Sequence, residues 1–241
     1  MCTVSWEYSE SGYVVFFNRD EMRTRRPATG PEERIRGGVR FLAPTDGEQG
    51  GTWISVNEFG LTLGLLNHYP TGCRVAPGDR PSRGHLVHNL SDSGGCGDVA
   101  KEMSRMDMRP YPPFRLFGID RVGSLLLNWD GVRLRSTETE GLFPPVTSSS
   151  WQTAAVERYR IGLFESSVRS SGGGINRLER YHHEHSSDRP AESVLMCRPD
   201  ACTHSVVRID LGQTRVSMRY EPQPWIEQPM AMVNASLALR S

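Results

Sequence analysis

The sequence predicts an α+β fold, built from antiparallel sheets with a few helices between them. Three observations carry this reading. Strand-like runs occur in pairs joined by short turns, helical stretches separate groups of strands, and 241 residues are enough to bury one large core. A single domain over residues 1–241 is expected, because only Ser170-Ser171-Gly172-Gly173-Gly174 reads as a flexible linker.

The elements follow in chain order. Cys2 to Glu7 and Gly12 to Asn18 are rich in β-branched and aromatic residues and flank Tyr8-Ser9-Glu10-Ser11, which predicts an N-terminal hairpin. Met22 to Arg40 is charged and reads as a loop beside the site. Thr52 to Val56 and Leu61 to Asn67 flank Asn57-Glu58-Phe59-Gly60 as a second hairpin. Two short helices are expected at Ser82 to Leu90 and Asp98 to Met106. Phe114 to Asp120, Ser124 to Trp129 and Val132 to Ser136 form a meander with turns at Arg121-Val122-Gly123 and Asp130-Gly131. Ser150 to Val168 carries the strongest helical signal: Ser149 or Ser150 can cap it, and Ala154, Ala155, Tyr159, Leu163 and Phe164 fall near helical spacing. A shorter helix is expected at Ile175 to His183, before the pair Ser193 to Cys197 and Thr203 to Asp210 and a last strand at Arg215 to Tyr220.

Composition excludes several classes of function. With 28 basic and 28 acidic residues the formal charge is zero, so no global field recruits nucleic acid or an anionic membrane. No apolar run reaches the ~18 to 20 residues that span a bilayer, and the start lacks the features of a signal peptide, so a cytoplasmic location is expected. Five cysteines, Cys2, Cys73, Cys96, Cys197 and Cys202, are an odd number for a disulfide framework. Cys197 and Cys202 flank Arg198-Pro199-Asp200-Ala201 and can pair across a hairpin if oxidised, although two strand residues beside a turn is the plainer reading.

Cys2 holds the most chemistry. Removal of Met1, favoured by a small second residue, leaves a thiol and a free α-amine on one residue, which is a nucleophile carrying its own base. An α-amine titrates near ~7.7 to 8.0 and accepts a proton at neutral pH, while a guanidinium such as Arg19 favours the thiolate.

Four patches in order carry a family resemblance: Met1-Cys2-Thr3, Asn18-Arg19-Asp20-Glu21, Gly50-Gly51-Thr52-Trp53-Ile54 and Ser82-Arg83-Gly84. In these the chain resembles the NRDE-motif family, also called the transport and Golgi organisation protein 2 family, a branch of the N-terminal nucleophile hydrolases. Glu58 to Pro70, with Leu65-Leu66-Asn67-His68 at its centre, is similar to the choloylglycine hydrolase and penicillin acylase segment that supplies an oxyanion-hole asparagine. The resemblance implies a four-layer αββα sandwich, with Cys2, Arg19, Asp20 and Asn67 as catalytic residues and Asn18 beside them. In the choloylglycine group the aspartate follows the arginine by three residues, where this chain has Met22, so Asp20 is assigned from the NRDE pattern. Adjacent strand residues face opposite ways, so Arg19 and Asp20 both reach Cys2 only across a strand end or bulge. Ser148 stands where a second asparagine is expected; it either donates in its place or leads into a helix cap.

Other candidates have plainer readings. Trp53 and Tyr69 line an apolar substrate pocket or belong to the core. Arg23, Arg25 and Arg26 hold a substrate carboxylate or form a solvated loop. His182-His183-Glu184-His185 has zinc-ligand types without the i, i+4 spacing of a helical site, so a solvated helix end is expected, with no metal and no cofactor. The expected function is cleavage or transfer of the acyl group of a small N-acyl compound through a Cys2 acyl-enzyme. The other class is a binding or trafficking protein on the same scaffold, since the family is linked to lipid and haem handling.

Overall fold

The structure, a computed structural model, describes residues 2–70, 81–224 and 231–240; Met1 and Cys73 lie outside the described residues. β1 (Cys2–Ser9) and β2 (Gly12–Met22) form the expected hairpin, with Val4 opposite Phe17 and Trp6 opposite Val15. They join β10 (Val146–Ser148), β11 (Ala201–Leu211), β12 (Arg215–Pro222) and β13 (Val233–Ala238) in a six-stranded antiparallel sheet ordered β10-β1-β2-β11-β12-β13. A seven-stranded antiparallel sheet runs in chain order through β3 (Thr29–Arg36), β4 (Val39–Thr45), β5 (Ile54–Asn57), β6 (Thr62–Asn67), β7 (Phe114–Ile119), β8 (Ser124–Trp129) and β9 (Leu134–Glu138).

Strand alternation builds the layers. Val4, Trp6, Val15 and Phe17 meet Ile54, Val56, Leu66 and Phe117 in the core between the sheets. Val14 and Phe16 point the other way, onto Phe164 of α3 (Thr153–Ser167) and Leu178 and Tyr181 of α4 (Ile175–His182). On the outer face of the second sheet, Leu63 and Leu65 pack with Leu86 and Val87 of α1 (Gly84–Asn89) and Val99 and Met103 of α2 (Cys96–Arg105). The result is the four-layer αββα sandwich. Burying one such side chain contributes about 1.5 to 3 kcal/mol, so these three clusters dominate stability. No helix among the described residues is long and apolar enough to cross a membrane.

Two sequence expectations are corrected and two strands are added. Met22 to Arg40 is no loop, because it contains β3 and most of the hairpin to β4; β3 is a sheet edge, where Glu32 and Glu33 stay exposed and mask the strand pattern. Ser193 to Cys197 is not a strand, since the Leu195 and Cys197 amides donate to Glu184 and Pro190 carbonyls and only Cys197 bridges to Cys202. β13 and β10 were not foreseen, and β10 adds the strand that flanks Cys2.

Candidate active site

The hairpin register places Cys2 between two partners, Arg19 on β2 and Ser148 on β10. Directly opposed residues share a face, so Cys2 and Arg19 both look between the sheets. There Cys2, Arg19, Trp53 and Asn67 line an open cleft of about 320 Å³. Glu21, Arg25, Asp46 and Arg83 supply its charged wall.

Glycines allow the wall to close. A Cβ on Gly51 would lie 2.9 Å from the Gly84 carbonyl carbon, and one on Gly84 would lie 3.0 Å from the Thr52 oxygen. Backbone therefore packs on backbone where the Gly50-Gly51-Thr52-Trp53 turn meets the start of α1, which sets Trp53 and Arg83 at the same cleft.

Arg19 is almost fully enclosed. Its guanidinium carbon sits 4.4 Å from the Trp53 ring centre, and its Nη2 pairs with Asp46 and lies 3.6 Å from Glu21. Asp46 also accepts Arg25 Nη2 at 2.9 Å and the amides of Glu48 and Gln49 at 3.1 and 2.9 Å. Burial works to raise its pKa, but the hydrogen bonds from Arg25 and Gln49 and the charge of Arg19 hold the carboxyl below its usual range. Two donors are left over: Arg19 Nη1 and Trp53 Nε1 are buried without a hydrogen-bond partner among the described residues.

Burial pushes the Cys2 thiol up to about 11, with Asp20 adding to the rise and Arg19 opposing it. The enclosed thiol is thus neutral at pH 7: Arg19 favours the thiolate in the expected direction, but desolvation is the larger effect. The Cys2 nitrogen donates to Ser148 Oγ at 3.2 Å, so Ser148 sits at the position of the α-amine. Asn67 ends β6 and donates one N–H to Tyr69 Oη at 3.2 Å. Tyr69 itself is half-exposed and reaches the cleft through Asn67, not as an apolar wall.

The opposite face of β2 carries a different assembly. Asp20 accepts Thr203 Oγ1 at 2.7 Å and pairs at 3.2 Å with Arg160 of α3, whose other bonds go to Thr3, Thr147, Glu192 and Ser193. Asn18 donates to the His182 and Val194 carbonyls at 2.9 Å each and meets His182 Nδ1 at 2.6 Å. His182 Nε2 bonds Ser5 Oγ at 2.7 Å. Asn18 and Asp20 therefore anchor the helical layer and do not line the cleft, while Asp20 stays near enough to Cys2 to raise its thiol. The reason is alternation: β2 stays regular through Met22, and the irregularity falls on β11 between Thr203 and Ser205.

The histidine cluster is also corrected. His182 is fully buried, not solvated, and burial holds its pKa well below the usual value. His183 instead meets Glu221 at 2.9 Å and His185 the Leu195 carbonyl at 3.1 Å, so the three rings serve separate partners. Asp46 and Arg160 escaped sequence reasoning. Arg83 stood inside the quoted Ser82-Arg83-Gly84 patch, which was the available signal.

Residues 1–149 match the family model described as Transport and Golgi organisation 2. No curated protein matches the chain. A mutant conjugated bile acid hydrolase from Clostridium perfringens is similar in structure over 100% of this chain and 97% of its own, with a TM-score of 0.60 and 10% identity. Another variant of that hydrolase gives 0.62 and 11% over the same shares. The Caenorhabditis elegans ortholog of N-acylethanolamine-hydrolyzing acid amidase gives 0.58 and 10%, over 87% of this chain and 92% of its own. The shared feature at these identities is the fold, which is that of the N-terminal nucleophile hydrolases.

Proposed function

The chain belongs to the Transport and Golgi organisation 2 family, and from that premise we propose that it is an N-terminal cysteine hydrolase or acyltransferase. Its substrate is a small N-acyl compound with a non-peptide carbon–nitrogen bond. The observation that carries the reading is the cross-strand pair of Cys2 and Arg19 facing one cleft in which Arg19 Nη1 and Trp53 Nε1 are buried donors without acceptors among the described residues. An unpaired buried donor costs ~1 to 3 kcal/mol, a cost that an incoming carbonyl or oxyanion relieves.

The neutral thiol defines the steps. With Met1 removed, the α-amine takes the Cys2 proton as sulfur attacks the acyl carbon, and Ser148 Oγ, 3.2 Å from that nitrogen, orients it. The Asn67 amide and the free donors of Arg19 and Trp53 receive the charge on the acyl oxygen. The tetrahedral adduct collapses, the C–N bond breaks, and the leaving amine takes the proton from the α-ammonium. Water, or a second amine or thiol, then attacks the thioester with the α-amine again as base. Hydrolysis and acyl transfer differ only in this last nucleophile.

Release of amine from a panel of N-acyl compounds tests the proposal. Wild-type turnover with loss in Cys2→Ala supports it, and equal rates for the two overturn it. Tight ligand binding without turnover in either would favour the binding protein, for which Ser148 in place of an asparagine is the supporting departure.

A further inference from the structure

A second sulfur centre lies at the base of β11, outside the cleft. Thr203 N donates to the Met196 carbonyl at 2.9 Å and Arg198 N to the Ala201 carbonyl at 2.8 Å, two bonds that bracket the bridge pair Cys197 and Cys202. A pair bracketed in this way is a non-hydrogen-bonded pair of an antiparallel ladder, with Cα atoms ~4.5 Å apart and side chains on one face. Disulfides span Cα separations of ~4.4 to 6.8 Å, so the backbone is already in range.

The surroundings also suit sulfur chemistry. Both cysteines are free and half-buried, and the turn between them exposes Pro199 and Asp200. Arg23 Nη2 donates to Cys197 Sγ at 3.0 Å, which fixes that sulfur beside a guanidinium at the mouth of the turn. Burial raises the Cys202 thiol, which fits the sulfur that acts second. Among the described residues Cys2 and Cys96 have no such pairing: Cys2 is enclosed at the cleft, and Cys96 points its thiol at the Gly123 carbonyl.

We propose that Cys197 and Cys202 form a thiol–disulfide exchange site whose co-reactant is a small disulfide of the glutathione type. The Cys197 thiolate attacks one sulfur of that disulfide, its S–S bond breaks, and one small thiol leaves with the proton Cys197 gave up. Cys202 then loses its proton and attacks the Cys197 sulfur, expelling the second small thiol. Two protein thiols are oxidised to one disulfide and one small disulfide is reduced to two thiols. Because Cys202 opposes Glu21 in the β11–β2 register and Glu21 lines the cleft, the cross-link forms beside the wall of the active site.

The test incubates the full chain with oxidised glutathione, blocks remaining thiols with iodoacetamide, and maps tryptic peptides. Trypsin does not cut before proline, so the Arg198-Pro199 bond keeps both cysteines on one peptide. That peptide is expected without alkylation and lighter by two hydrogens than its dithiol form, and doubly alkylated after prior reduction. Cys202→Ser is expected to retain a glutathione adduct on Cys197. Alkylation of both sulfurs after glutathione treatment, or a lasting adduct in wild type that never closes, overturns the site. A faster adduct on Cys202 of Cys197→Ser than on Cys197 of Cys202→Ser overturns the order of attack.

Discussion

The two faces of β2 at its C-terminal end share out the four residues Asn18 to Glu21 and use them in opposite ways. On the helical side Asn18 and Asp20 are saturated, each side chain bound to several partners within a buried polar network. On the cleft side Arg19 Nη1 and Trp53 Nε1 have no hydrogen-bond partner among the described residues. A satisfied buried network fixes structure, whereas an unsatisfied one costs stability unless a ligand completes it. One tetrapeptide thus divides by strand parity into a half that anchors the helical layer and a half that faces the cleft.

The largest effect should come from breaking the saturated half. Asp20→Ala leaves Arg160 as an uncompensated buried charge, and loss of one partner of such a pair typically costs about 3 to 5 kcal/mol. Urea unfolding should show that loss. Unchanged stability would mean that the division is wrong and that Asp20 belongs with the cleft.

On the cleft side the expected effect is kinetic. Asn67→Ala should lower kcat by roughly 10²- to 10³-fold, about 2.7 to 4 kcal/mol, with little change in the thermal midpoint. A lower midpoint with unchanged turnover would make Asn67 a strand-end cap that serves Tyr69.

His182 sharpens the contrast through pH. It is buried and neutral, so its folded pKa lies below the ordinary value near 6.5. The unfolded chain then binds more protons as pH falls below that value, and stability drops by up to about 1.4 kcal/mol per pH unit. His182→Gln should remove one proton's share of the slope measured by unfolding at pH 5 to 7. An unaltered slope would place the protonated ring in the folded state.

The smallest effect concerns Cys2 itself. Burial sets most of the rise in its pKa, while Asp20 adds to it and Arg19 opposes it. Arg19→Gln should move alkylation by iodoacetamide to higher pH and Asp20→Asn to lower pH, each by a small step. Shifts of the same sign would contradict the opposed placement of the two charges.

Legibility in the sequence followed the same division. The hairpins of β1 with β2 and β5 with β6 were readable because apolar alternation stops at clear turns. β3 was hidden by its charges at a sheet edge, and β13 by its small residues and near-complete exposure, which leave only Leu237 buried. Cys2, Arg19, Trp53 and Asn67 were found because motif order and reactive residue types mark them, and the fold brings them to one cleft. Asp46 and Arg160 left no local signal, since each matters through partners far along the chain: Arg19 for Asp46, and Thr3 and Asp20 for Arg160. Parity made Asn18 and Asp20 separable from Arg19, but which parity faced the cleft required the sheet packing.

The central claim is that Cys2, freed of Met1, carries the acyl group. Intact mass of the native chain, acid-quenched during reaction with N-acyl compounds and acyl thioesters, tests it most directly. The account predicts a chain lighter by one methionine that gains one acyl mass, with the adduct mapped to Cys2 and absent from Cys2→Ala. Turnover by a chain that retains Met1, or without any adduct on Cys2 under rapid quench, would contradict it.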